Sequence, residues 1–246
     1  MADNRVLGVP IEGDGWKAIA ERLDQDMKLW IVTANPEILL KAKKDRDYRK
    51  AISSADLRTV DGAGLFFVMN VLRRKAVRLT GVDLAEHLLQ YAWKHHLRVG
   101  LLGGEFGAAA GAASHIRASY PELELLVEEG GVVAVDGTED ERTEASRERM
   151  MLFSPHVLFV AFGHPRQERW IHLHRGDFAD LRAIVGVGGT FNFWAGRIKR
   201  APAWMRAVGI EWFFRLIQEP KRWRRIWNAV VVFPVAALID RIHPVR

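Results

Sequence analysis

Short apolar runs and helical patterns alternate along most of this chain. β-Branched and aliphatic runs at Arg5–Ile11, Leu29–Thr33, Leu57–Val60, Arg98–Leu102, Leu123–Val127, Val157–Ala161 and Ala183–Val187 read as strands. Between them, the 3.6-residue apolar period predicts helices over Gly15–Gln25, Pro36–Ala51, Leu65–Leu72, Asp83–His95, Gly107–Ser119, Glu139–Leu152 and Arg166–His174. Runs such as Val157-Leu-Phe-Val-Ala161 are apolar without alternation, as strands covered on both faces should be. The pattern predicts an α/β fold, a Rossmann-like, mostly parallel sheet with helices on both faces. Ligands of such sheets bind beyond the carboxyl ends of the strands, so the residues just after each strand are the first candidates for a site.

After Gly196 the pattern turns helical. Trp204, Val208, Glu211, Trp212, Arg215 and Leu216 suit one helix; Pro220 suits the first turn of another over Lys221–Phe233. Ala229–Ile239 is apolar apart from Pro234, but a bilayer-spanning helix needs roughly 20 residues, so this run is expected to lie on a membrane or on protein. We divide the chain into a catalytic domain, 1–196, and a helical C-terminal appendage, 197–246.

Charge sharpens that division. The net charge is +6, from 36 Lys+Arg against 30 Asp+Glu. Residues 197–246 hold 11 basic and 3 acidic side chains (+8), which leaves 25 against 27 (−2) for the rest. Five of nine tryptophans (Trp194, Trp204, Trp212, Trp223, Trp227) fall in or just before the same stretch. Basic charge interleaved with Trp suits an anionic surface, lipid or nucleic acid. The chain has no cysteine, which excludes disulfides, thiolate ligands and a Cys nucleophile. Met1–Pro10 lacks an apolar signal-peptide core, and the expected compartment is the cytoplasm.

Four segments after strands offer chemistry. Thr33-Ala-Asn35 supplies a hydroxyl and a carboxamide able to grip a sugar or phosphate, although Asn35 before Pro36 also suits a helix cap. Asp61, in Val60-Asp-Gly-Ala-Gly64, could act as a general base or as a cap. Gly103 and Gly104, in Gly103-Gly-Glu-Phe-Gly107, and Gly188, in Gly186-Val-Gly-Gly-Thr190, allow close approach of a ligand. The spacing is not G-x-G-x-x-G and no P-loop Lys follows, which weighs against a dinucleotide site. Asp24-Gln-Asp26 spells the D-x-D of many metal-dependent transferases but precedes a strand, and reads as a solvated turn. His95-His96 and His172-Leu-His174 lack carboxylates at metal-ligand spacing and read as surface or packed histidines.

Ala161-Phe-Gly-His-Pro-Arg-Gln-Glu-Arg-Trp-Ile171 resembles the G-x-P-x-Q-E motif of the WecG/TagA/CpsF glycosyltransferases. The resemblance continues through Gly186–Gly196, Lys199-Arg-Ala-Pro202, Glu211-Trp-Phe-Phe-Arg-Leu216 and Glu219-Pro220, and includes Thr33-Ala-Asn35, Asp61-Gly62 and Arg78-Leu-Thr-Gly81. It implies a metal-independent, inverting transferase without cofactor. The implied donor is a UDP-sugar (N-acetylmannosamine, its uronic acid, or glucose), and the implied acceptor is a sugar on polyprenyl diphosphate. Asp61 matches the base; Thr33, Asn35, Arg78 and Gln167 match substrate-pocket residues; Arg215, Arg222 and Arg225 match appendage arginines that complete the site. It implies peripheral binding to the inner face of the cell membrane and leaves a homo-oligomer open. The chain departs from the family at Asn192, where Asp is usual, and at Val127–Val132, a loose match bearing on sugar specificity. Two other readings compete: a nucleic-acid-binding α/β protein using the basic tail, and a nucleotide-sugar-modifying enzyme, for which the Tyr-x-x-x-Lys pair is missing.

Overall fold

The structure, a computed structural model, describes residues 4–242. Met1–Asp3 and residues 243–246, the end of the basic tail, lie outside the described residues. Six strands form one parallel sheet: β3 (Leu29–Ala34), β4 (Leu57–Val60), β5 (Val99–Gly103), β6 (Leu125–Glu128), β7 (Val157–Ala161) and β8 (Ala183–Gly186). Their spatial order is β4-β3-β8-β7-β5-β6. Both faces are covered: Trp30, Val32, Leu158 and Val160 enter one core, while Ile31, Val99, Leu101 and Phe159 enter the other. Successive residues of a strand point to opposite faces, which is why these runs show no polar alternation.

The N-terminal run is not one strand. Leu7 (φ 51) and Gly8 (φ 79) adopt left-handed backbone, folding β1 (Arg5–Val6) antiparallel against β2 (Val9–Pro10). After α1 (Trp16–Asp24) and β3, the expected helix over Pro36–Ala51 is two helices, α2 (Pro36–Lys44) and α3 (Arg46–Ser53). Asp45 divides them by turning extended (φ −125, ψ 100) and accepting the Tyr48 N–H at 3.0 Å, which caps the second helix. Beyond β4 come α4 (Ala63–Val71) and α5 (Gly81–Lys94), then α6 (Ala108–Ser119), α7 (Glu141–Phe153), α8 (Arg166–His174) and the short α9 (Thr190–Trp194).

The tail is helical but more broken than the periodicity suggests. Gly209 (φ 78) separates α10 (Ala203–Ala207) from α11 (Glu211–Gln218), so the expected single helix is two. Pro220 opens a 3-10 turn, Pro220–Arg222, leading into α12 (Trp223–Trp227). A π-helical turn (Asn228–Val232) then carries the chain into α13 (Phe233–Ile242), and the wider turn accommodates Pro234, which has no N–H to give. No helix among the described residues is long and apolar enough to cross a membrane. The tail is also anchored in the body, because Phe233 (0% exposed) and Ala237 join the core beside α2 and α4.

Candidate active site

Strands β3 and β4 are consecutive neighbours on one side of the sheet and β5 and β6 on the other, with β8 and β7 between them. The order therefore reverses in the middle, and a cavity of about 940 Å³ opens there beyond the carboxyl ends of the strands. Thr33, Asn35, Asp61, Arg78, Gly104, Gln167, Gly188, Arg215, Arg222 and Arg225 all line it. Gly103 does not: it packs under Phe162, where a Cβ would come 2.8 Å from the ring.

Asp61 follows β4 directly, and its N–H is held by the Ala34 carbonyl at 2.8 Å. Gly62 (φ 86) then turns the chain into α4, so Asp61 is no helix cap and its carboxyl stays in the cavity. Burial pushes this carboxyl up, and the negative charges of Glu211 and Asp83 push further; the Gly81 N–H and Arg78 pull back, leaving it at about 7. Arg78 lies beside the end of β4, in a parallel bridge with Val60, and reaches tailward, donating to the Arg206 carbonyl at 2.9 Å and pairing with Glu211 at 3.5 Å. Thr33, 7% exposed, donates from Oγ1 to the Gly186 carbonyl at 3.4 Å, tying β3 to the end of β8, where the glycine loop begins. Asn35 caps α2: its Oδ1 accepts the Glu37 and Ile38 N–H groups, each at 3.0 Å, and its NH2 is the end left for a ligand.

Gln167 is almost wholly buried and committed on both ends. Its Oε1 accepts the N–H groups of Gly163 and Gly188, each at 3.1 Å, and its Nε2 donates to Glu168 at 2.7 Å. Gly186 must lack a side chain, because a Cβ there would lie 2.6 Å from Gln167 Nε2. The motif around Lys199 is structural in a similar way. Arg200 pairs with Asp83 in the first turn of α5, and the Gln218 amide brackets the Lys199 backbone.

The tail supplies the charge. Arg215, Arg222 and Arg225 enter the cavity wall from α11, the Pro220 turn and α12. Glu219 pairs with both Arg215 (2.9 Å) and Arg222, while Glu37 pairs with Arg225 and with His164 (3.3 Å). Burial and the neighbouring Arg215 and Arg225 push the Arg222 guanidinium down, the signature of cations crowded together. Burial would push Glu37 up, but hydrogen bonds from Arg225 and His164 outweigh it and hold the carboxyl at about 2. The lining contains six Lys and Arg side chains (Arg78, Arg166, Lys199, Arg215, Arg222, Arg225) against four carboxylates (Glu37, Asp61, Glu105, Glu211), so the cavity suits an anion.

Sequence reasoning passed over Glu37, Glu105, His164 and Glu211, all on the cavity wall. Glu37 resembles any acid in a first helical turn, and Glu105 any loop acid. His164, inside the G-x-P-x-Q-E segment, and Glu211, at the head of Glu211-Trp-Phe-Phe-Arg-Leu216, did carry a signal. Asn192 donates from Nδ2 to Glu105 at 3.2 Å, where an Asp would set two carboxylates against each other. Asp24 and Asp26 lie at the amino end of the sheet, away from the cavity, bound to the Tyr91 hydroxyl (2.9 Å) and Arg182 (2.9 Å). His95 stacks on Tyr91, and His172 meets the Ser54 hydroxyl. His174 does have carboxylate neighbours, Asp177 at 3.2 Å and Glu139 at 3.8 Å, but they form no metal-holding cluster among the described residues.

A doubly covered parallel sheet with a basic cavity at its switch point, and in it a carboxyl raised to about 7, marks a Rossmann-like α/β protein whose site suits an anion. The profile described as "Glycosyl transferase WecG/TagA/CpsF family" matches residues 4–246, and the chain belongs to that family of glycosyltransferases. It is 36% identical over 205 residues to N-acetylglucosaminyldiphosphoundecaprenol N-acetyl-beta-D-mannosaminyltransferase of Bacillus subtilis (strain 168), covering 83% of this chain and 77% of the relative. Relatives of the same name in Bacillus spizizenii (35% over 205 residues; 83% and 77% covered) and Staphylococcus aureus strain MRSA252 (34% over 199 residues; 80% and 74% covered) are similar.

Proposed function

We propose that this enzyme transfers an N-acetylmannosaminyl group from UDP to a polyprenyl-diphosphate-linked N-acetylglucosamine, inverting the anomeric carbon without a metal. The relatives' shared name supports the sugar and the acceptor. The observation that carries the mechanism is Asp61: a carboxyl raised to about 7 in a cavity that also holds three tail arginines. A base with a pKa near the working pH removes a proton most effectively during attack. Asp61 takes the proton of the acceptor hydroxyl as its oxygen bonds to the anomeric carbon. The bond from that carbon to the UDP oxygen breaks, and the electron pair leaves on the diphosphate. Arg215, Arg222 and Arg225 meet the charge that develops there, with Arg78 supporting, in the role a divalent cation fills elsewhere. Thr33, Asn35, Gly104 and Gly188 shape the sugar-binding wall.

The tail would hold the enzyme at the inner face of the cell membrane. Its outward surface carries Trp223 (57% exposed), Trp227, Val235 and Ile239 together with exposed Lys221 and Arg224, a combination suited to an anionic lipid surface. The test is UDP release from a panel of UDP-sugars, with and without N-acetylglucosamine-diphosphopolyprenol. Acceptor-dependent release from UDP-N-acetylmannosamine is expected. No release from any UDP-sugar, with tight and steeply salt-dependent binding to nucleic acid, would overturn the reading.

A further inference from the structure

Directly behind the cavity floor, a buried relay runs from α3 through α8 to two active-site loops. Tyr48, fully buried on α3, donates its hydroxyl to Glu168 Oε2 at 3.0 Å. Glu168, 2% exposed, accepts the Gln167 NH2 on its other oxygen at 2.7 Å. Gln167 in turn accepts the N–H of Gly163, in the loop after β7, and of Gly188, in the loop after β8. The polarity of this relay is not arbitrary. Two backbone N–H groups can face only the oxygen of the Gln167 amide, and a side chain that accepts from Gln167 on one terminal oxygen and from Tyr48 on the other is a carboxyl. Turned around, the amide would set its NH2 against two donors, a mismatch that is costly in so buried a place.

We infer that Glu168 is a positioning residue: from outside the cavity it fixes which end of the Gln167 amide faces the two glycine loops, and so fixes the cavity floor. Gln167 on this view is a strut and not a sugar ligand, because its amide oxygen and the NH2 facing Glu168 are already engaged. The inference rests on the transferase reading only for its activity assay.

The relay can be reversed chemically. In the swap Gln167→Glu/Glu168→Gln, the carboxylate at 167 accepts both loop N–H groups and the new amide NH2, and that amide's oxygen accepts from Tyr48. Each single change leaves a defect. Gln167→Glu sets two carboxylates side by side; Glu168→Gln keeps its oxygen for the Gln167 NH2 and turns its own NH2 to the Tyr48 oxygen, so the buried Tyr48 proton loses its acceptor. Burial already pushes the Glu168 carboxyl up, so two adjacent acids would be tolerated only while sharing a proton. The groups facing this site are the Tyr48 hydroxyl, His164 from the loop after β7, and the Arg169–Asp45 pair (2.8 Å) that lies over the Tyr48 ring; none is altered.

The experiment measures kcat and KM for UDP release, melting temperature, and hydrogen exchange of the Gly163 and Gly188 amides, in wild type, both singles and the swap. Gln167→Glu should lose about a hundredfold in kcat near neutral pH, the scale of an ångström-sized misplacement of a catalytic group. Its activity relative to wild type should rise at least about tenfold from about pH 8.5 to about pH 6, as one proton becomes shared. Glu168→Gln should lose about tenfold, one unmade hydrogen bond. The swap should return kcat to within a few-fold of wild type, restore amide protection and lose the pH dependence. A folded swap no better than the worse single, with Gly163 and Gly188 still exchanging fast, would overturn the inference. Should Gln167→Glu not fold at high pH, the swap's melting temperature and exchange still decide the matter. If wild type released no UDP, the transferase reading would fail while the exchange measurements would still test the relay.

Discussion

Asp61→Asn separates what the fold wants at this position from what the chemistry wants. The variant removes the base and should lower turnover by about two to four orders of magnitude. It should also stabilise the protein, because Asp61 is costly to ionise where it stands. Its carboxyl moves from 3.8 to about 7 on folding, chiefly through burial. Between those values the native state holds a proton that the unfolded chain has released, so stability falls as pH rises through that window and stays low above it. At 1.36 kcal/mol per pKa unit, the full cost at pH 8 is about 4 kcal/mol; at about pH 5 it is below about 2 kcal/mol. Asparagine carries no such charge. Denaturant unfolding should therefore find the variant more stable at pH 8 by up to about 4 kcal/mol, with the gain shrinking in acid. For a chain of this size that is a rise in melting temperature of roughly 8–16 °C at most. The wild-type rate should climb with pH and level off above about 7, and the variant's small residual rate should lack that inflection. An Asp61→Asn variant that is less stable at pH 8, or equally shifted at both pH values, would refute the account of Asp61 as a buried, destabilising base.

Three further outcomes are expected. Activity should survive EDTA, since Asp24 and Asp26 are engaged at the amino end of the sheet and Asp45, in the other D-x-D (Asp45-Arg-Asp47), is taken by Arg169 and the Tyr48 N–H; magnesium- or manganese-restored activity after chelation would oppose this. Reversing Lys221 and Arg224 to Glu with Trp223→Ala and Trp227→Ala should weaken cosedimentation with anionic vesicles, each lost charge counting for about 1 kcal/mol, and added salt should do the same to the intact protein. Gly186→Ala drives a methyl into Gln167 and should cost about 1–3 kcal/mol in denaturant unfolding, with a matching loss of rate.

The parallel sheet was legible because burial on both faces leaves a plain mark: β7 matches its apolar run, Val157–Ala161, end to end. What escaped depended on single residues whose backbone is set by partners distant in sequence. Leu7 in left-handed backbone is such a case, since Leu does not announce a break by its identity. Asp45, a residue type that favours helix caps, could have been read as one, and so could Gly209. Within the site, the residues following strands were legible because the fold class points to them. Of the carboxylates that organise the arginines, Glu37 was not, being an ordinary first-turn acid until the tail folds back over α2; Glu219 meets Arg215 and Arg222 at four and three residues' distance, a spacing the sequence already shows. Asn35 was legible in both senses, as a helix cap and as a carboxamide able to meet a ligand, and in the fold it caps α2 and lines the cavity.

The burial of Phe233 has a practical consequence for anyone wishing to simplify this molecule. Its helix presents Val235 and Ile239 to the outside while Phe233 and Ala237 fill the inside, so the sticky portion and the filling of the core are one object. Trimming the chain after Gly196 to make it more tractable would pull a plug from beside α2, the very helix whose first turn carries Glu37 and whose cap is Asn35. Solubility would have to be engineered by repainting the outer stripe one side chain at a time, leaving the inner stripe in place.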